Sequence, residues 1–302
     1  MDTVTSQPAE VAVAFVIREK FAWALASLQR LYALAGVPFR LYFVDGGYPR
    51  EVRAAIDEFL ADKANVVRIP ARRFLYPGEA WNLALAGVTE PYVFLLQNDV
   101  LIGRGALASL LETARRLDCD GVAPDILDSA KGAPQAHHES SLALVIRERE
   151  GRLWIEADPA PEQRDGYRRL HHFEVHCLFL KTRTLRSLGP LPPLNVHEHV
   201  DLALALWREG KTVYLDEAAR ALFMDSPPLQ LRDYECPFYR FRWDLGRARQ
   251  SQAYVQDKWR MGNLFDAIPF VERQHTALAH EMVLTRYASA LEADQWPAEI
   301  SA

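Results

Sequence analysis

Tyr92-Val-Phe-Leu-Leu-Gln-Asn-Asp-Val100 decides how this chain is read. Its apolar run follows Pro91, is short, and mixes aromatic with branched residues, which predicts a fully buried strand. Strands of that kind belong to parallel sheets covered on both faces. The run ends abruptly at Gln97, Asn98 and Asp99. In open α/β sheets ligands sit just beyond the carboxyl ends of strands, where a carboxylate preceded by two amides can hold a cation or a polyphosphate. The simpler alternative is that Asn98 and Asp99 cap a turn before a helix starting near Gly105.

Upstream, strands and helices alternate. Val11–Ile17, Arg40–Val44 and Val66–Ile69 read as strands. Phe21–Ala35, Val52–Leu60 and Glu79–Ala86 read as helices, the first closed by Gly36. The spacing leaves room only for βαβ units and predicts a parallel, doubly wound sheet. A second strand also ends in an acid, Asp45, on the rim that carries Asp99. Further on, a helix over Gly105–Leu117 precedes a buried segment at Gly121–Pro124. Residues 128–165 read as an insertion near the functional face, with a strand at Leu142–Ile146. Phe173–Leu180 returns to the sheet, Thr184–Leu188 and Val200–Glu209 are helical, and Thr212–Leu215 and Ala219–Met224 are two more extended segments. The remainder is mostly helical.

The chain has 302 residues, 49% hydrophobic and 25% charged, enough for one large domain with an appendage. The expected division is a nucleotide-binding and catalytic domain over residues 1–225 and a helical extension over 226–302. A net charge of −5 argues against a nucleic-acid binder. Three distant cysteines (Cys119, Cys177, Cys236) suit reduced thiols and a cytoplasmic setting. Neither a signal peptide nor a membrane-spanning run is recognisable, while peripheral membrane contact stays open.

Asn195-Val-His-Glu-His-Val-Asp-Leu202 is the second informative stretch. At a helix start, capping and the helix dipole account for Asp201. They account less well for two histidines flanking a glutamate, so a proton-transfer role is expected for at least one of His197, Glu198 and His199. The pairs His137-His138 and His171-His172 point to opposite faces of any strand and make no ready metal clamp. His176 contacts substrate or is a satisfied core histidine. Tyr239-Arg-Phe-Arg-Trp243 suits phosphate and sugar contacts, or an amphipathic helix with its arginines in water. Arg72-Arg73 has the same two readings.

Taken together, Leu41–Gly47, Phe94–Val100, the helix around Asn82, Phe179–Gly189 followed by His197–Leu202, and Lys258-Trp259 resemble the family 2 glycosyltransferases of GT-A fold, most of all the rhamnosyltransferase-like branch. The resemblance spans residues 11–260. It implies inverting transfer of a sugar from a nucleoside-diphosphate donor to an acceptor hydroxyl on a glycan, a lipid-linked glycan or a protein. It implies that Val16, Arg18, Asp45, Asn82, Asn98 and Asp99 contact the donor, and that Asp99 holds Mg2+ or Mn2+; the histidine that often completes the family's metal site is missing here, and Asp225 is either a second metal ligand in its place or a turn residue before Pro227-Pro228. The family's Glu-Asp-x-Asp motif reads Glu198-His199-Val200-Asp201 here. The base is therefore His199, Glu198 or Asp201. Two rivals are a catalytically impaired nucleotide-sugar-binding homologue and a nucleotidyltransferase on a similar sheet. The latter wants a glycine-rich loop after the first strand, where this chain has Arg18-Glu-Lys-Phe21.

Overall fold

A computed structural model describes residues 9–71, 73–128, 135–136, 144–224 and 231–284. Asp225, His137-His138 and Arg72 lie outside the described residues. The elements in chain order are β1 (Val11–Val16), α1 (Ala24–Leu34), β2 (Phe39–Gly46), α2 (Arg50–Leu60), β3 (Val66–Ala71), α3 (Pro77–Leu85), β4 (Tyr92–Gln97), β5 (Val100–Ile102), α4 (Ala106–Leu117) and β6 (Gly121–Asp128). The insertion supplies β7 (Gln135–Ala136), β8 (Leu144–Arg149), β9 (Arg152–Ala157), β10 (Gln163–Arg164) and β11 (Tyr167–Leu170). Then follow β12 (Cys177–Lys181), α5 (Thr182–Ser187), α6 (Glu198–Arg208), β13 (Val213–Phe223), α7 (Cys236–Arg242), α8 (Leu245–Trp259) and α9 (Ile268–Leu284).

The strand order β3-β2-β1-β4-β12-β6-β13 forms the body of the sheet. β1 pairs in parallel with both β2 and β4, with Phe15 opposite Phe43 and Leu96, so Asp45 and Asp99 leave the sheet on one rim. Period-2 alternation then sorts two cores. Val11, Val13, Phe15, Phe94 and Leu96 face α1, α2 and α4. Ala12, Ala14, Val16, Val93 and Leu95 face α3, α5 and α6. Pro70 is tolerated because β3 is an edge strand and needs no N–H on its open side.

The sheet is mostly parallel, as the GT-A resemblance implies, and three details are added. First, β12 runs antiparallel between β4 and β6. The chain leaves β6 at the carboxyl rim and returns to that rim after the insertion, so β12 can only descend. Second, the two extended segments near the end of the sheet are one strand, β13, with a register shift between Asp216 and Arg220. Asp216 caps that bulge, its Oδ1 accepting from the backbone N–H of Ala218 (3.0 Å) and Ala219 (3.3 Å). Third, residues 173–176 are not strand but approach the rim as a loop. Gly36 closes α1 as expected, at φ +80°.

The helices after residue 230 pack into the body. Phe238 of α7 is fully buried in the first core, with ring centroids 5.1 Å from both Phe21 and Phe74. Ile146 and Leu153 of the β8–β9 hairpin join Val255, Trp259 and Met261 of the α8 region in a smaller cluster with Leu204. Among the described residues no helix is long and apolar enough to cross a membrane. Phe238→Ala should destabilise the whole protein by about 3–5 kcal/mol in denaturant unfolding, the range for a buried aromatic cut to alanine. A loss below about 1 kcal/mol would mean that α7 is not part of this core.

Candidate functional site

The site is built where β1 and β4 end. Asn98 donates its backbone N–H to Val16 O (2.9 Å). Its side-chain Oδ1 accepts from Arg18 N (3.0 Å) and its Nδ2 donates to Lys20 O. Asn98 thus clamps the chain leaving β1, which makes it a brace for the site more than a ligand contact. Asp99 follows with its backbone O held by Met224 N (2.8 Å), and its side chain is 2% exposed. Among the described residues carboxylate Oδ1 has no hydrogen-bond partner, and Oδ2 lies 3.8 Å from Arg18 Nη1. Burial pushes the Asp99 carboxyl up to about 7, against the pull of Arg18.

Arg18 is ringed by acids. Its Nη1 lies 2.8 Å from Glu19 Oε1, and its guanidinium packs 5.0 Å over the Phe223 ring. Burial works against its charge, but Glu19, Asp99, Glu198 and Glu174 outweigh that and hold its pKa up. Arg242 of α7 enters the same cluster from the other side. It is 2% exposed, donates to Asn195 O, and has Nη2 3.5 Å from Glu198 Oε1. Burial lowers its pKa, with Glu198 opposing.

The start of α6 sorts the four ionisable groups of residues 197–201. His197 sits at the helix N-cap at φ +62°, 4% exposed, and burial followed by the nearby His199 pushes its pKa down to about 4. It is a neutral strut, with Nε2 3.4 Å from Gln252 Oε1. Glu198 is paired to Arg242 as above. Asp201 turns away from the rim: Lys258 Nζ reaches its two oxygens at 2.8 and 3.0 Å, and Trp259 Nε1 donates to Oδ1 at 2.6 Å. A carboxylate so engaged pins α6 to α8. His199 remains, 25% exposed at its side chain, with Nδ1 3.9 Å from Glu174 Oε2 and its ring edge-on to His172.

The other expected residues are placed as follows. Asp45 is partly exposed on the same rim, Oδ1 accepting from Tyr48 N (3.2 Å) and Oδ2 lying 2.9 Å from Arg53 Nε. Tyr48, buried between, feels both Asp45 and Asp99. Asn82 faces elsewhere: its Nδ2 donates to Leu191 O (2.8 Å) and its Oδ1 accepts from Leu191 N (2.9 Å). It braces the proline-rich loop, which Gly78 also meets so closely that a Cβ there would lie 2.5 Å from Pro192 O. His176 is buried, stacked on Phe223 at 4.1 Å, with Nδ1 3.1 Å from Gln97 Oε1. Glu19 and Glu174 carry no sequence pattern, and of the two readings of Tyr239–Trp243 the one with its arginines in water does not hold for Arg242, which is buried.

With this geometry in place, the comparisons are informative. The family model "Glycosyl transferase family 2" matches residues 17–186, more than half of the chain, and the chain belongs to that family. The fold resembles GalNAc-T7 solved with UDP, GalNAc and Mn2+ (TM-score 0.56, 10% identity), covering 91% of this chain and 58% of that one. This chain therefore spans less than two thirds of GalNAc-T7. It also resembles S. aureus TarS 1–349 in complex with UDP-GlcNAc (TM-score 0.53, 12% identity), covering 82% of this chain and 71% of that one. The likeness establishes the GT-A fold. A search of curated proteins found no match.

The buried neutral His197 gives the first pH test. Its unfolded value is 6.5 and its folded value about 4, so the unfolded chain binds the extra proton between them and stability falls as pH drops through that window. Asn tolerates a left-handed backbone and does not titrate. Between pH 6.5 and 4 the wild type should lose about 3 kcal/mol that His197→Asn does not lose, measured by urea unfolding across pH. Parallel pH curves for the two proteins would refute the assignment.

Proposed function

We propose that this family 2 glycosyltransferase moves a sugar from a nucleoside-diphosphate donor to an acceptor hydroxyl with inversion, using His199 as the base. The supporting observation is the sorting at the start of α6: His197 and Asp201 are buried and engaged, Glu198 pairs with Arg242 at 11% side-chain exposure, and His199, at 25%, is the more open group beside the acidic rim. The acceptor oxygen attacks the anomeric carbon as its proton passes to His199, and the diphosphate leaves from the opposite face.

In this reading Asp45, the accessible acid of the rim, accepts from the nucleobase. Arg18 lines the base pocket; Val16, fully buried in the second core, supports it from behind, and Asn98 fixes the backbone of both. Asp99 fits a divalent cation, Mg2+ or Mn2+: its Oδ1 is buried without a hydrogen-bond partner among the described residues, and its neighbourhood is rich in oxygen acids. Among the described residues no three His, Cys, Asp or Glu groups converge as a metal cage. Hard cations of this kind are commonly held by one or two carboxylates together with substrate phosphates. When bound, such a cation would neutralise charge on the leaving diphosphate. Asp225 is proposed as a second ligand. The helical segment after residue 225, through Arg242 and the Asp201 pin, works as part of the catalytic unit, so the proposed boundary at residue 225 divides the sequence more than the machinery. The three buried free thiols suit a reducing, cytoplasmic setting.

The GT-A neighbours solved with UDP or UDP-GlcNAc support a nucleotide-sugar donor. Thermal shift with UDP-, GDP- and dTDP-sugars, with and without Mn2+, should raise the melting temperature for one nucleotide class. The donor so found supports transfer and slow donor hydrolysis assays. His199→Ala should keep the shift and lower turnover by about 10²–10⁴-fold. Absence of any nucleotide-dependent shift would remove the reading's main support, and undiminished turnover in His199→Ala would exclude His199 as base.

A further inference from the structure

Glu174 is a rim acid that neither the sequence pattern nor the proposed chemistry absorbs; Glu19, the other, is paired to Arg18 at 2.8 Å. It lies in the loop between β11 and β12, and its position is set by its neighbours. Phe173 and Val175 are 1% and 3% exposed and anchor in the second core, so Glu174 and His176 project to the other side. His176 is held between Phe223 and Gln97. Glu174 Oε2 lies 3.9 Å from His199 Nδ1 and 3.9 Å from His176 Nε2.

The structure assigns Glu174 as the positioning residue of His199, and the assignment rests on His199 being the base. A carboxylate facing Nδ1 selects the tautomer with its proton on Nδ1, which leaves Nε2 as the proton acceptor. It also stabilises the imidazolium that forms. The separation of 3.9 Å is longer than a hydrogen bond, as catalytic contacts often are before substrate is bound. His176 does not compete for the role. It is 4% exposed, stacked and bonded to Gln97, so it steadies Glu174 from behind and does not face the acceptor side.

The step balances as follows. The acceptor O–H bond breaks and its proton passes to His199 Nε2. The oxygen lone pair forms the bond to the anomeric carbon. The bond from that carbon to the diphosphate oxygen breaks, and its electron pair leaves with the diphosphate. The imidazolium returns its proton to solvent after the products depart. The charged and titratable groups around His199 are Glu174 and His172 from the loop before β12, and His197 and Glu198 from the start of α6. Arg18 bears on Glu174 from the end of β1.

The test uses Glu174→Gln, Glu174→Asp, His199→Ala and the Glu174→Gln/His199→Ala double variant, assayed for transfer or donor hydrolysis across pH. Glu174→Gln should lower kcat about 10–100-fold with the donor KM within about two-fold. Because a carboxylate favours the charged imidazole, its loss should move the acidic limb of the kcat profile about one pH unit lower. Glu174→Asp should restore part of kcat. The double variant should be no worse than His199→Ala, since residues acting as a unit are not additive. Nitrogen-15 NMR of the unmodified protein gives a readout independent of variant folding: His199 should populate the Nδ1–H tautomer. Overturning results are an unmoved pH limb in an active Glu174→Gln, multiplied losses in the double variant, or the Nε2–H tautomer in the wild type. Full activity in His199→Ala would instead defeat the base assignment itself. Loss in His199→Ala with a normal Glu174→Gln would remove Glu174 alone.

Discussion

Asp99 places a carboxylate almost out of water at the end of a strand buried on both faces. A buried charge is tolerated only with compensation close by. Much of the rim can be understood as that compensation and its consequences. Arg18 approaches Asp99, and the clamp of Asn98 on the backbone of residues 18 and 20 fixes where Arg18 starts. Arg18 in turn is packed on Phe223, whose strand end is tied back to Asp99 by the Met224 N–H. Glu19, Glu174 and Glu198 then surround Arg18, and Arg242 answers Glu198. Opposite charges alternate through a partly dry cluster, so loss of one member leaves its neighbour unpaired.

Topology delivers these groups to one place. Because β12 descends from the carboxyl rim, the residues just before it, Glu174 and His176, must lie on that rim. α5 and the following loop carry the chain back up, so α6 begins at the rim with His197–His199. β13 climbs parallel to β6 and brings Phe223 to the same level. The antiparallel strand is thus what lets an insertion and a helix start contribute to the same site as β1 and β4. The Asp201 contacts with Lys258 and Trp259 hold α6 against α8, tying the start of α6 to the C-terminal helices.

The sequence made the first half legible because buried strands announce themselves as apolar runs and acids at their ends are visible by eye. Asp45 and Asp99 were placed on one rim by that logic alone. What stayed hidden was burial of charge. Arg242 sits in an Arg-aromatic helix whose solvated and buried faces look alike in one dimension. Glu174 and His176 alternate with Phe173 and Val175, so the strand pattern simply ran four residues too far. The period was right, but hydrogen bonding to β4 stops at the rim. Asn82 matched a pattern by residue type, yet its partner, the Leu191 backbone, lies 109 positions away. Long-range amide pairing of that kind has no local signature.

A histidine at position 199 suits the same electrostatics. Glu19, Asp99, Glu174 and Glu198 already outnumber Arg18 and Arg242 in the cluster. A further carboxylate beside Glu174 would meet like charge, and its own ionisation would be suppressed. An imidazole in the same place experiences attraction instead, remains 25% exposed, and gains positive charge at the moment its neighbours favour it. Under the proposed assignment the group that accepts the proton is one whose charged form the acidic cluster favours. The acidic neighbourhood that would handicap an aspartate is the one that suits a histidine.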